Sequence, residues 1–157
     1  MDALMIFAAK YLVYILVVAS IVFVFIQKKE IRKRMIVFAI ISLPITYLVA
    51  KIAGKIFYDP RPFVTSHITP LIPHAPTNGF PSDHALISFA VAWIIFLHNK
   101  KLGTVFLIAA VLIGVARIYV RVHSPIDIIG SFAISLVVAF FTEYGLRTFL
   151  FKKNLVK

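Results

Sequence analysis

Long apolar runs, set off from one another by short basic or proline-rich segments, constrain this chain more than any other feature. A helix needs about 20 apolar residues to cross the hydrocarbon core of a bilayer. Runs over residues 4–26, 35–57, 102–119 and 125–151 meet or approach that length, and a shorter one covers 82–96. With 61% hydrophobic residues among 157 and a mean hydropathy of +0.97, a water-soluble fold would leave too much apolar area at its surface. The expected fold class is therefore all-α: a polytopic integral membrane bundle of about five transmembrane helices, forming one membrane-embedded domain over residues 1–157. The first run starts at Met1-Asp2 with no basic stretch and exceeds the apolar segment of a signal peptide, so it reads as a retained helix. Pro44 predicts a kink in the second run.

Charge gives the bundle a direction. Lys and Arg number 17 against 6 Asp and Glu, a balance that in a soluble chain would suggest nucleic acid. Here the cations lie between apolar runs, as membrane anchors do, which argues against a nucleic-acid partner and for membrane lipids. Lys28, Lys29, Arg32, Lys33 and Arg34 in a short basic loop at 27–34, Lys100 and Lys101, and Lys152, Lys153 and Lys157 in the tail all fall on one side. Under the positive-inside rule that side, C-terminus included, is the cytoplasmic side of a plasma (bacterial inner) membrane. The loops at 58–83 and 120–124 then share the outer face. The first of them holds six of the eight prolines, and an irregular loop of this length in a compact protein is usually functional.

Three stretches on that face carry polar groups that membrane helices seldom hold without use. They are Lys-Ile-Phe-Tyr-Asp-Pro-Arg-Pro at 55–62, Phe-Pro-Ser-Asp-His at 80–84, and residues 117–127. Lys55, Arg61, Arg117 and Arg121 stand against Asp59, Asp83 and Asp127. Arginine forks match phosphate oxygens bidentately, and lysine adds a point charge. Pro81-Ser82 reads as a helix start whose free N–H groups bind anions, with His84 in its first turn. Asp127 follows His123 by four residues, so its carboxylate can accept the imidazole N–H and leave the other ring nitrogen basic. Two histidines beside an anion pocket suit covalent phosphoryl transfer, one attacking phosphorus and the other protonating the leaving oxygen.

Plainer readings stand beside these. Ser124-Pro125-Ile126-Asp127 is also an ordinary helix start, and Ser82-Asp83 an ordinary cap. Lys51 and Lys55 read as snorkelling interfacial lysines, Arg121 as a headgroup contact, and His67 and His74 as polar loop residues. The His-x3-Asp spacing also suits metal ligation. Arg61, Arg117 and Lys55 close by would repel a cation, so no metal is expected. The chain has no Cys, which excludes thiolate metal sites and disulfides.

Together these residues resemble the type 2 phosphatidic acid phosphatases, integral membrane lipid phosphatases with a three-part signature: Lys-x6-Arg-Pro, Pro-Ser-Gly-His and Ser-Arg-x5-His-x3-Asp. The third part matches Ala116-Arg117, His123 and Asp127, the second matches Pro81-Ser82-Asp83-His84, and the first ends in Arg61-Pro62. The similarity spans about 51–130. It implies His123 as the nucleophile forming a phosphohistidine, Asp127 as its orienting group, and His84 as the general acid. It also implies that Arg61, Arg117, Ser82 and Lys55 hold the phosphate, with no metal or other cofactor. Three positions depart from the signature. Lys55 is one residue late, the matching position being Gly54, and one residue turns a helix by about 100°; Lys55 then reaches the phosphate only through the length of its side chain. Asp83 replaces Gly, so either a cation offsets its charge or it helps to position His84, and Ala116 replaces Ser. Asp59-Pro60-Arg61-Pro62-Phe63-Val64, Leu71-Ile72-Pro73-His74 and Phe80-Pro81-Ser82-Asp83-His84 look most like the bacitracin-resistance-type undecaprenyl-diphosphate phosphatases; lipid A 1-phosphatases and phosphatidylglycerophosphate phosphatases share the core. Members usually have a sixth span. The expected substrate is thus a lipid phosphate or diphosphate. A non-enzymatic binder or translocator of phospholipid headgroups would use the same cations, but it has no need of an Asp-oriented His123 opposite His84.

Overall fold

The computed structural model describes the backbone of residues 1–155 and the side chains of residues 1–148. The side chains of the basic tail, Lys152, Lys153 and Lys157 among them, lie outside the described residues. The helices are α1 (Asp2–Phe25), α2 (Lys29–Ile56), the single turn α3 (Pro62–Thr65), α4 (Asp83–His98), α5 (Lys100–Tyr119) and α6 (Pro125–Leu155). Among the described residues there is no strand, only an isolated bridge between Pro60 and Asn78. Four helices, α1, α2, α5 and α6, are long and apolar enough to cross a membrane, and α4 is a shorter apolar helix of 16 residues. The all-α membrane bundle expected from hydropathy is the observed one.

The short helix is the centre. α4 packs against α1, α2, α5 and α6, and Ala85, Leu86, Phe89, Ala92 and Ile95 bury on several of its sides. A helix apolar all round has no polar face to turn to water, so it suits a bundle interior. The outer helices bury only narrow stripes, and leave Ile40, Leu48, Ile108, Val137 and Phe140 exposed where lipid would lie. α4 and α5 are joined by Asn99 alone, whose Oδ1 accepts from the Leu102 N–H at 3.0 Å. Their close approach needs Gly103, because a Cβ there would stand 2.1 Å from the Phe96 Cα.

At the end of the bundle away from the long loop, Glu143 of α6 is buried and accepts hydrogen bonds from Arg34 of α2 and, at 2.6 Å, from Arg147 Nε. This corrects the reading of 27–34 as a basic loop. α2 begins at Lys29, so only residues 26–28 link the first two helices. Lys, Arg and Glu are good helix formers; the helix runs on past its apolar stretch, and Arg34 finds its partner from within it. α2 also continues through Pro44.

Gly103→Ala is expected to cost roughly 1–3 kcal/mol by overpacking α4 against α5. Thermal unfolding of the purified protein in detergent checks this, and an unchanged midpoint would contradict so close a helix approach.

Candidate active site

Three segments meet at one end of the bundle: the turn between α5 and α6, the start of α4, and the loop 57–82. α5 ends at Tyr119, and Arg121 then adopts left-handed backbone (φ 68°), after which Val122 and His123 are both buried. α6 starts at Pro125 with the fully buried Asp127 in its first turn. Asp127 Oδ2 accepts the Ser124 backbone N–H at 3.0 Å and the His123 Nδ1–H at 2.9 Å. Capping and imidazole orientation are therefore properties of one carboxylate and do not compete. A proton on Nδ1 leaves the lone pair of the neutral ring on Nε2, and Arg61 Nη1 stands 3.3 Å from that nitrogen. Burial lowers the His123 pKa; the Asp127 hydrogen bond opposes the shift, and the charges of Arg117 and Arg61 add to it.

Arg61 enters from the residue before α3, where Pro62 at the first helical position fixes the turn. Its Nη1 also donates to the Val122 carbonyl at 2.7 Å, and its Nη2 to the Asn78 carbonyl at 3.2 Å. Burial lowers its pKa, with Asp127 and then Asp83 opposing; a guanidinium remains charged throughout. Arg117, in the last turn of α5, donates from Nη1 to the Ala9 carbonyl of α1 at 3.3 Å. Ser82 takes the N-cap position of α4, yet its side chain makes no capping bond. The cap reading therefore describes its place and not its hydroxyl. Its backbone N–H donates to the Asp127 carbonyl at 3.4 Å, which docks the start of α4 on the first turn of α6. Ser82 Oγ, Arg61 Nε and Arg117 Nε are buried donors with no protein partner. Buried polar groups are normally satisfied, so donors left over at one end of a bundle point to an anion. His84, half-buried in the first turn of α4, feels the charges of Arg117, His123, Asp83 and His74. Among the described residues, no group of three or more His, Asp or Glu is arranged to hold a metal ion.

Lys55 stands apart from these groups. It is exposed on α2 and lines a cleft of about 320 Å³ together with Lys51, Arg61, Asn78 and Asp83; neither His84 nor His123 lines it. The signature position, Gly54, has no room for a side chain, because a Cβ there would stand 2.7 Å from the Phe80 carbonyl oxygen. Lys51, one turn earlier, reaches Asp83 at 3.8 Å. Of the two expectations for Asp83 the geometry supplies the first, an offsetting cation, and that cation is a lysine first read as a snorkeller.

Asn78 escaped the sequence reading, which has His74 as a polar loop residue. The Asn78 side chain saturates four backbone groups: Nδ2 donates to the Gly54 carbonyl at 2.7 Å and the Phe57 carbonyl at 3.0 Å. Its Oδ1 accepts the Asp59 N–H at 2.9 Å and the Phe80 N–H at 3.0 Å. Asp59 in turn accepts the Ser124 hydroxyl at 2.5 Å, joining the first and third stretches. The only signal was the Asn78-Gly79 turn pair, which says nothing of these partners. His74 is on the loop, but its ring centroid lies 6.1 Å from that of His123, at the site.

A membrane bundle that holds an Asp-oriented histidine, a second histidine and buried arginines at one end belongs to the class of the membrane lipid phosphatases. The chain is a member of the PAP2 superfamily, whose pattern matches residues 8–150. It is 31% identical over 136 residues to the bacitracin transport permease protein BcrC of Bacillus licheniformis, covering 86% of this chain and 66% of that one. To the undecaprenyl-diphosphatase BcrC of Bacillus subtilis it is 29% identical over 143 residues, covering 89% of this chain and 72% of the other. The chain thus spans about two thirds of the length of these relatives. Among solved structures, LpxE of Aquifex aeolicus superposes with a TM-score of 0.74 at 26% identity, over 91% of this chain and 85% of that one.

Asn78→Ala removes partners from four backbone groups, at a cost of about 1–3 kcal/mol for each group that stays buried and unmet. The variant is expected to unfold at lower temperature and to lose anion affinity at the site, measured by thermal unfolding and by phosphate titration in detergent.

Proposed function

We propose that this protein is a metal-independent phosphatase that removes the terminal phosphate of a lipid diphosphate, with undecaprenyl diphosphate as the substrate. The site lies at the outer face of the plasma membrane. The observation that carries the chemistry is the buried His123–Asp127 pair at 2.9 Å, with Arg61 Nη1 at the opposite ring nitrogen. A headgroup binder would need the cations alone.

In the proposed reaction Arg61, Arg117 and Ser82 take the oxygens of the terminal phosphate, and Arg61 leaves His123 Nε2 as it does so. The Nε2 lone pair attacks phosphorus in line, and the bond from phosphorus to the bridging oxygen breaks. His84, protonated when the anionic phosphate lies beside it, gives its proton to that oxygen, which departs on the lipid monophosphate. Water then attacks the phosphohistidine while His84 takes a proton from it; the P–N bond breaks and phosphate leaves. Asp127 keeps the Nδ1 proton in place and stabilises the cationic ring throughout. Lys55 contributes a diffuse positive field from the neighbouring cleft. The choice of lipid is supported by the B. subtilis relative, an undecaprenyl-diphosphatase; the outward placement is supported by the cations of 28–34 and 100–101 at the other end.

Purified protein in EDTA is expected to release phosphate from undecaprenyl diphosphate faster than from phosphatidylglycerophosphate or lipid A. His123→Ala should lose about 10³-fold or more in kcat/KM; a variant as active as wild type would sink the mechanism. Because burial holds His123 below its ordinary pKa, the neutral nucleophile persists at neutral pH. Its loss comes only as pH falls through that lowered value, so kcat/KM should drop on the acid side, below the range where free histidine titrates.

A further inference from the structure

The third histidine of the site has no part in the reaction just described. His74 belongs to the 57–82 loop, yet its ring meets that of His123 edge to face at 6.1 Å. The chain around it is anchored. The Leu71 N–H donates to the Val120 carbonyl at 3.1 Å, Ile72 is buried with Ala9, Val120 and Val122, and Asn78 ties down the loop four residues on. Arg61 is the charge that acts on His74 most strongly, ahead of Arg117 and His123. Arg61 also stands beside His123 Nε2. His74 and Arg61 thus both stand beside the nucleophile.

Oxygen counting says what is left for it to do. A transferred phosphoryl group has three equatorial oxygens, and Ser82 Oγ, Arg61 Nε and Arg117 Nε are three buried donors at this end of the bundle without a protein partner. His74 is surplus to that set. A diphosphate brings further oxygens on the phosphate that stays with the lipid. We propose that His74 is a substrate-contacting specificity residue that holds this inner, lipid-linked phosphate and so selects diphosphate over monophosphate lipids. The proposal rests on the phosphatase reading above. Nδ1 faces the Ala75 carbonyl at 3.3 Å, so the ring proton resides there and Nε2 is the free nitrogen. An anionic phosphate alongside favours the protonated ring, and Nε2–H then donates to it.

The test compares wild type with His74→Ala on undecaprenyl diphosphate, using inorganic phosphate and pyrophosphate as competitive inhibitors. One lost hydrogen bond to a charged group is worth about tenfold. KM for the lipid and the inhibition constant of pyrophosphate should each rise by about that factor, with kcat and the inhibition constant of phosphate within about twofold of wild type. His74→Asn, which keeps the contact to Ala75, must show the same split and serves if the alanine variant does not fold. An active wild type whose variants lose affinity for both anions alike, or for neither, overturns the His74 assignment alone. A wild type that hydrolyses no lipid diphosphate overturns the phosphatase reading and this one with it.

Discussion

A charge taken out of water inside a membrane protein must meet an opposite charge or a full set of hydrogen bonds, or the fold does not hold it. Asp127 is the point where this constraint bears hardest. It is fully buried in the first turn of a membrane helix, and its Oδ2 accepts from both the Ser124 N–H and His123. Those bonds position the imidazole, and Arg61 comes to rest on the other side of the ring. The backbone of the same residue receives the Ser82 N–H, so the start of the central helix is docked on it too. Substituting Asp127 would thus disturb the α5–α6 turn, the nucleophile and the mouth of α4 together.

The opposite end of the bundle solves the same problem with different parts. Glu143 lies between Arg34 and Arg147, a buried acid between two guanidinium groups. Its Oε1 takes both guanidinium groups, while its Oε2 is buried without a partner. Among the described residues, both ends keep buried polar atoms without a partner, but only at the site are they arginine and serine donors gathered around two histidines.

Hydropathy made the helices legible because a membrane helix must be apolar along most of its length, whatever its neighbours. It failed at 27–34, where basic helix formers continue α2 beyond the hydrocarbon and pattern alone cannot tell a helical overhang from a loop. At the site, spacing was enough for His123 and Asp127, since four residues is one helical turn. The Pro-Ser pair likewise marked a helix start, with Ser82 at the N-cap and His84 in the first turn. The lysines were not legible. Gly54 is barred from carrying a side chain by a carbonyl 26 residues away in sequence, and the offsetting cation moved one turn to Lys51. Asn78 and His74 depend wholly on contacts made across the fold, and such contacts leave no period in a sequence.

The shortness of α4 has a consequence of its own. Sixteen residues rise about 24 Å, against about 30 Å of hydrocarbon. With its far end level with one membrane surface, next to Lys100 and Lys101, its first turn stops roughly 6 Å below the other. On that alignment Ser82 and His84 would lie at the floor of a recess below the headgroups. A water-soluble phosphate ester gains nothing by descending there. A lipid's phosphate is tethered just above that floor by its own tail, so the level of the floor would itself act as a filter, working on altitude before any side chain has touched the headgroup.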